Sequence, residues 1–146
     1  MKKEQLLVAY NNMQTCGFDN LNAAELWQYH KLHKELAGIQ KDFSTDELAL
    51  VEKYKIQYNP AIKQFFTTSE NKDDLKTFTE VREAALTEEI PVSVKPFLTW
   101  DTFTQWVKIN KITADKLDDM AELLAIAPNP DIPPKVPESN KTNTLN

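Results

Sequence analysis

Apolar residues return every three or four positions along most of this chain, the spacing of helices that each bury one face. Leu6, Leu7 and Tyr10 place a short helix over 2–13, closed by turn residues from Thr15 to Asn20. Leu26, Tyr29, Leu36, Ile39 and Phe43 predict an amphipathic helix over 22–42, entered through Asn22 and Glu25 at capping-box spacing. Ser44 and Glu47 repeat the box, and Phe43 and Leu48 stand as a hydrophobic staple around it. A second helix is therefore expected almost without a loop, in an antiparallel or sharply bent hairpin. Leu48, Val51, Tyr54 and Tyr58 form its inner face, Asn59-Pro60 ends or kinks it, and Ala61 to Phe66 adds a turn or two of helix.

Ser69 or Asn71 is placed to cap a third long helix through Glu88, with Leu75, Phe78, Arg82, Ala85 and Leu86 at its facing positions. The pattern then changes period. In TEEIPVSVKPF, residues 87–97, Ile90, Val92 and Val94 alternate with polar Ser93 and Lys95, which predicts one short extended or β segment at about 90–95. Pro91 and Pro96 cannot donate to a ladder, so the segment is an edge strand or an extended connector lying on the helices. Thr99 caps a short helix carrying Trp100, Phe103, Trp106 and Val107, and Thr113 caps a last one carrying Leu117, Met120, Ala121 and Leu124. Residues 127–146 hold five of the eight prolines and no apolar period, the signature of a disordered tail. The expected architecture is mainly α: a helical domain over 1–126 with five to six helices, one extended segment and the tail.

Composition narrows the class further. Two glycines, Gly17 and Gly38, lie far apart, and neither precedes a Lys-Ser or Lys-Thr pair, so a phosphate-cradling loop is excluded. No apolar run approaches a membrane span or a signal-peptide core. One cysteine, Cys16, cannot form an internal disulfide, which is compatible with a reducing compartment. The net charge is −5, and the excess falls in residues 70–126, where twelve acidic residues face seven basic ones. No basic stripe tracks a phosphate backbone, which argues against nucleic acid as a partner.

Three sets of residues carry candidate chemistry. His30 and His33, three apart on the helix over 22–42, can share a metal if Glu25 or another carboxylate completes the set; the interleaved lysines Lys31 and Lys34 fit a solvent-facing border equally. Cys16 is a nucleophile only if a histidine stands near it in space, and otherwise a half-buried loop cysteine. The consecutive pairs Glu88-Glu89 and Asp118-Asp119 splay by about 100° on a helix and read as solvated charge. The aromatic cluster Phe97, Trp100, Phe103 and Trp106 is the best binding candidate. Trp100, Phe103 and Val107 are expected to face a core, and Trp106 to be exposed.

The order of elements resembles the small helical proteins of unknown function encoded by bacteriophages and prophages. The resemblance rests on two long helices, a helix ending in EVREAALTEEI at Ile90, the Val-x-Val piece, and an aromatic-led close ending in Leu-x-x-Met-x-x-Leu-Leu124. It implies a non-enzymatic accessory protein, acting in virion assembly or on a host or phage protein, in the bacterial cytoplasm or the virion. The expected partner is a protein, self or other, with no cofactor, nucleic acid or membrane involved. The binding residues would be Val92, Val94, Phe97, Trp100 and Trp106. The alternatives are a small metal-assisted enzyme using His30 and His33, and a structural subunit self-associating through the 90–95 strand.

Overall fold

Between Asn22 and Asn59 the chain has no proline and a single glycine, and it uses that freedom from helix breakers to run one long helix. The computed structural model describes residues 1–126. The elements are α1 (Lys3–Met13), α2 (Ala23–Lys53), β1 (Ile56–Asn59), β2 (Gln64–Thr67), α3 (Asp73–Leu86), α4 (Trp100–Asn110) and α5 (Ala114–Leu124). The fold is mostly helical, as expected, with a two-stranded antiparallel sheet. The tail expected over 127–146 lies outside the described residues. The backbone forms two compact units, Met1–Lys95 and a second beginning at Pro96.

Asn22 caps α2 as its spacing predicts. Its Oδ1 accepts from the Glu25 N–H at 2.8 Å while Glu25 Oε1 accepts from the Asn22 N–H at 2.9 Å. The second capping box does not form. Glu47 is taken by Arg82 of α3, at 2.6 Å, and Ser44 Oγ accepts from Gln40 Nε2, so α2 continues through both positions. The staple fails with it, since Phe43 is buried and Leu48 is 58% exposed. The tight hairpin at Phe43–Ser44 is thus replaced by an unbroken helical run of about 45 Å, at 1.5 Å per residue.

The strands also lie elsewhere than expected. Residues 61–66, read as helix, form the turn and second strand of a hairpin whose register pairs Ile56 with Thr67, Gln57 with Phe66, Tyr58 with Phe65 and Asn59 with Gln64. Asn59 Oδ1 accepts from the Ala61 N–H at 3.0 Å, Pro60 presets the turn, and Lys63 closes it at φ 53°. Ile56 and Phe65 share the inner face, where the Phe65 ring meets Phe78 of α3 edge-on at 5.2 Å. Arg82 lies over Phe65 at 5.3 Å and over Phe43 at 5.7 Å, tying the hairpin, α2 and α3 together. The first unit's core is Leu6, Ala9 and Met13 from α1, Tyr29, Leu32, Leu36 and Phe43 from α2, Ile56 from β1 and Phe78 from α3.

The segment expected as the strand, 90–95, has no ladder. Its neighbour Glu89 makes one isolated bridge to Lys2, and Lys3 Nζ lies 3.2 Å from the Glu88 carboxylate. Beyond it, the Glu35 carboxylate accepts from the Ser93 N–H at 2.8 Å, the Ser93 hydroxyl at 2.9 Å and the Val94 N–H at 3.3 Å. This is the connector alternative.

In the second unit Thr99 Oγ1 caps α4 by accepting from the Thr102 N–H at 3.2 Å. Lys111 ends it at φ 55°, and the Ile112 N–H reaches the Val107 carbonyl at 3.0 Å, a Schellman-type stop. Thr113 precedes α5 but spends its hydroxyl as a donor to Asp115, which holds that exposed carboxyl below its usual range. Leu98, Phe103, Trp106, Met120, Leu123 and Leu124 are buried in this unit. A parallel bridge joins Leu98 to Ala125 as the chain leaves α5.

Candidate functional site

Helix α1 ends at Met13, and the turn that follows carries Cys16 and Phe18 over the first turns of α2. The result is an open cleft of about 350 Å³ lined by Met13, Gln14, Cys16, Phe18, Tyr29, His30 and His33. The sequence made histidine proximity the condition for any chemistry at Cys16, and the fold brings both histidines to the same cleft.

The groups are occupied in structural roles. Cys16 Sγ donates to the Asn12 carbonyl at 3.1 Å, and the buried Tyr29 hydroxyl donates to the Met13 carbonyl at 3.1 Å. Both hydrogen bonds satisfy carbonyls that the end of α1 leaves without helical partners. Burial pushes the Cys16 thiol up, a rise partly offset by its hydrogen bond with Tyr29. Burial also pushes the Tyr29 phenol well up, and Cys16 beside it adds to the rise. The thiolate is the nucleophilic form, so a site that disfavours it is a poor one for attack by sulfur.

The imidazoles pack as rings. His33 lies 5.0 Å from Tyr10, His30 lies 5.4 Å from Phe18, and Phe18 also meets Tyr29 edge-on at 4.9 Å. Glu25, the carboxylate offered to complete a metal set, is committed to the α2 cap. Among the described residues no three His, Cys, Asp or Glu side chains converge in a metal-holding group. Among them, too, no helix is long and apolar enough to cross a membrane.

The expectations for the two tryptophans invert, while Phe103 is buried as expected and Val107 is half-buried. Trp106 is fully buried, stacked with Phe103 at 6.3 Å, while Trp100 is 47% exposed. Positions 103 and 106 are about 60° apart on a helix, whereas 100 and 106 are about 120° apart, so the face that buries Phe103 takes Trp106 with it. Trp100 also stands at the first position of α4, where the helix ends and burial is incomplete. Val92, Val94 and Phe97 are half-buried. Val92 and Val94 belong to the first unit, beside the Glu35 clamp, and Phe97, Trp100 and Trp106 to the second.

Other exposed apolar side chains were not among the expected binding residues, and Tyr58, expected on the inner face of a helix, is one of them. Trp27 on α2 is 67% exposed, and on the hairpin Tyr58, Ile62 and Phe66 are 51%, 60% and 39% exposed. The signal for Trp27 was present: Leu26, Tyr29, Leu36 and Phe43 define the inner face of α2, and Trp27 lies off it. Comparison with protein families, with curated proteins and with solved structures found no match to this chain.

Proposed function

We propose that this chain is a non-enzymatic binding protein that works by docking another protein. The observation that carries the reading is the set of large apolar side chains left in water, with Trp27 the most exposed at 67%. Fully burying one such side chain is worth about 1.5–3 kcal/mol, and exposed aromatics are the usual anchors of protein interfaces. The Cys16 cleft supports the same reading from the other side, because its thiol and phenol are kept protonated and spent on backbone carbonyls. The phage or prophage setting, with virion assembly or engagement of a host or phage protein as the task, rests on the layout resemblance alone.

The test is binding to a protein recovered with the chain from a bacterial host and then purified. Trp27→Ser is expected to weaken the reconstituted complex about tenfold or more while leaving the melting temperature within a few degrees. Turnover of a substrate by the purified chain, abolished by Cys16→Ser or His33→Ala, would overturn the proposal. A metal-assisted enzyme has one observation in its favour, that His30, His33 and Cys16 line one cleft. Elemental analysis of protein purified without added metal decides it: well under an equivalent of any transition metal ends that alternative.

A further inference from the structure

The β1–β2 hairpin differs in charge from the rest of the molecule. From Lys53 to Ser69 there is no acidic residue, while Lys53, Lys55 and Lys63 give the stretch three positive charges in a chain whose net charge is −5. All three lysines are exposed, and among the described residues none enters an ion pair. Lys53 stands in the last turn of α2, at the negative end of its dipole, and its Nζ lies 5.3 Å from the centre of the Tyr54 ring. Lys55 and Lys63 stand at the two ends of β1–β2, each at φ 53°, a backbone region where glycine or asparagine is less strained than lysine. Along the sequence these charges are interleaved with exposed apolar groups, Ile62 in the turn and Phe66 on the outer face, while Tyr58, also exposed, lies on the opposite face beside Phe65.

Resting on the binding-protein reading above, we infer that this hairpin is a docking surface of its own, at the opposite end of α2 from Trp27, and that its partner is an acidic polypeptide segment carrying apolar side chains. Charge complementarity selects the sign, and the exposed aromatic and aliphatic positions select a ligand with apolar groups to bury. A phosphate polymer is the poorer fit, because three lysines spread over the stretch from Lys53 to Ser69 form no continuous stripe to track a phosphate backbone, and such a backbone offers nothing apolar to cover Ile62 and Phe66. An anionic membrane is poorer too: three lysines fall short of the clusters of about four to eight that hold a protein to such a surface. The two-stranded sheet adds backbone recognition, since each strand has one edge facing away from its neighbour.

The experiment is fluorescence anisotropy on the full chain with three probes: a short peptide alternating aspartate with leucine and phenylalanine, an oligo(dT), and vesicles containing phosphatidylserine. The peptide is expected to bind in a salt-dependent manner, and Lys55→Asn with Lys63→Asn to weaken it about tenfold. Asparagine tolerates the left-handed backbone at both sites, so this variant removes charge without unfolding the hairpin, which circular dichroism checks. Phe66→Ser, on the outer face, is expected to weaken the peptide as well. Equal binding by the double variant, no binding of the peptide, or tighter charge-dependent binding of oligo(dT) or vesicles overturns the inference. A random-peptide selection on the same chain separates the two levels. Binders that hydrogen exchange maps around Trp27 and away from 53–69 sink the hairpin but keep the binding-protein reading, and a selection without binders sinks both.

Discussion

The segment 90–95 and the hairpin 56–67 have opposite relations between local pattern and final structure. The first alternates apolar and polar residues and forms no ladder; the second follows a long helix, contains Asn-Pro, and makes the sheet. Alternation alone does not make a strand, because a strand's N–H and C=O groups need partners. Ile56–Asn59 finds them eight residues later, across a four-residue turn that Asn59, Pro60 and Lys63 shape. Ser93 and Val94 find the Glu35 carboxylate first, and Pro91 and Pro96 remove two more donors. A side chain thus does for one segment what a second strand does for the other.

The difference can be broken at the hairpin with the largest effect. Phe78→Ala removes the buried ring on which Phe65 rests, and a loss of about 3–5 kcal/mol is expected in urea unfolding, with early loss of hairpin amide protection. Arg82→Ala should cost less, about 2 kcal/mol, because the Glu47 pair is part-exposed, though the guanidinium also covers Phe43 and Phe65. Arg82→Met, which keeps the packing, is expected to recover about half of that loss; no recovery would assign the whole effect to charge.

At the connector, Glu35→Ala should cost about 1 kcal/mol and speed hydrogen exchange at Ser93 and Val94 while leaving the hairpin amides unchanged. Unchanged exchange at those two amides would show that the carboxylate is not what replaces the missing strand. The smallest effect has the opposite sign. Lys63→Asn relaxes the left-handed turn position and is expected to stabilise the hairpin by about 0.5–1 kcal/mol, seen as a rise in melting temperature.

A pH test reaches the Cys16 cleft. Raised values mean that the neutral thiol and phenol are favoured in the folded state, so their contribution is full below the unfolded-state values and is lost as pH rises from there through the raised folded-state values. Stability should therefore fall on the alkaline side, and Cys16→Ser should blunt the earlier part of that fall. Alkylation of Cys16 by iodoacetamide at mildly alkaline pH is expected to be slower than that of a free thiol, and to reach the free rate in denaturant.

Because period and caps are local, the sequence by itself determined where most of the amphipathic helices lie, though not the unbroken run of α2 through Ser44 or the strand at Gln64–Thr67. The first helix, the Asn22–Glu25 cap, the Thr99 cap and the helices over Trp100–Asn110 and Ala114–Leu124 all stand where spacing put them. Tertiary structure decided what competes for the same groups. Glu47 can cap a helix at Ser44 or pair with Arg82, thirty-five positions away, and only the fold brings Arg82 within 2.6 Å. The same holds for Glu35 and the donors of Ser93 and Val94, for Tyr58 and Phe65 across the turn, and for Cys16 beside His30 and His33. Local sequence states which hydrogen bonds and packing faces are on offer, and the three-dimensional arrangement selects among them because one carboxylate, ring or backbone donor cannot serve two partners in full.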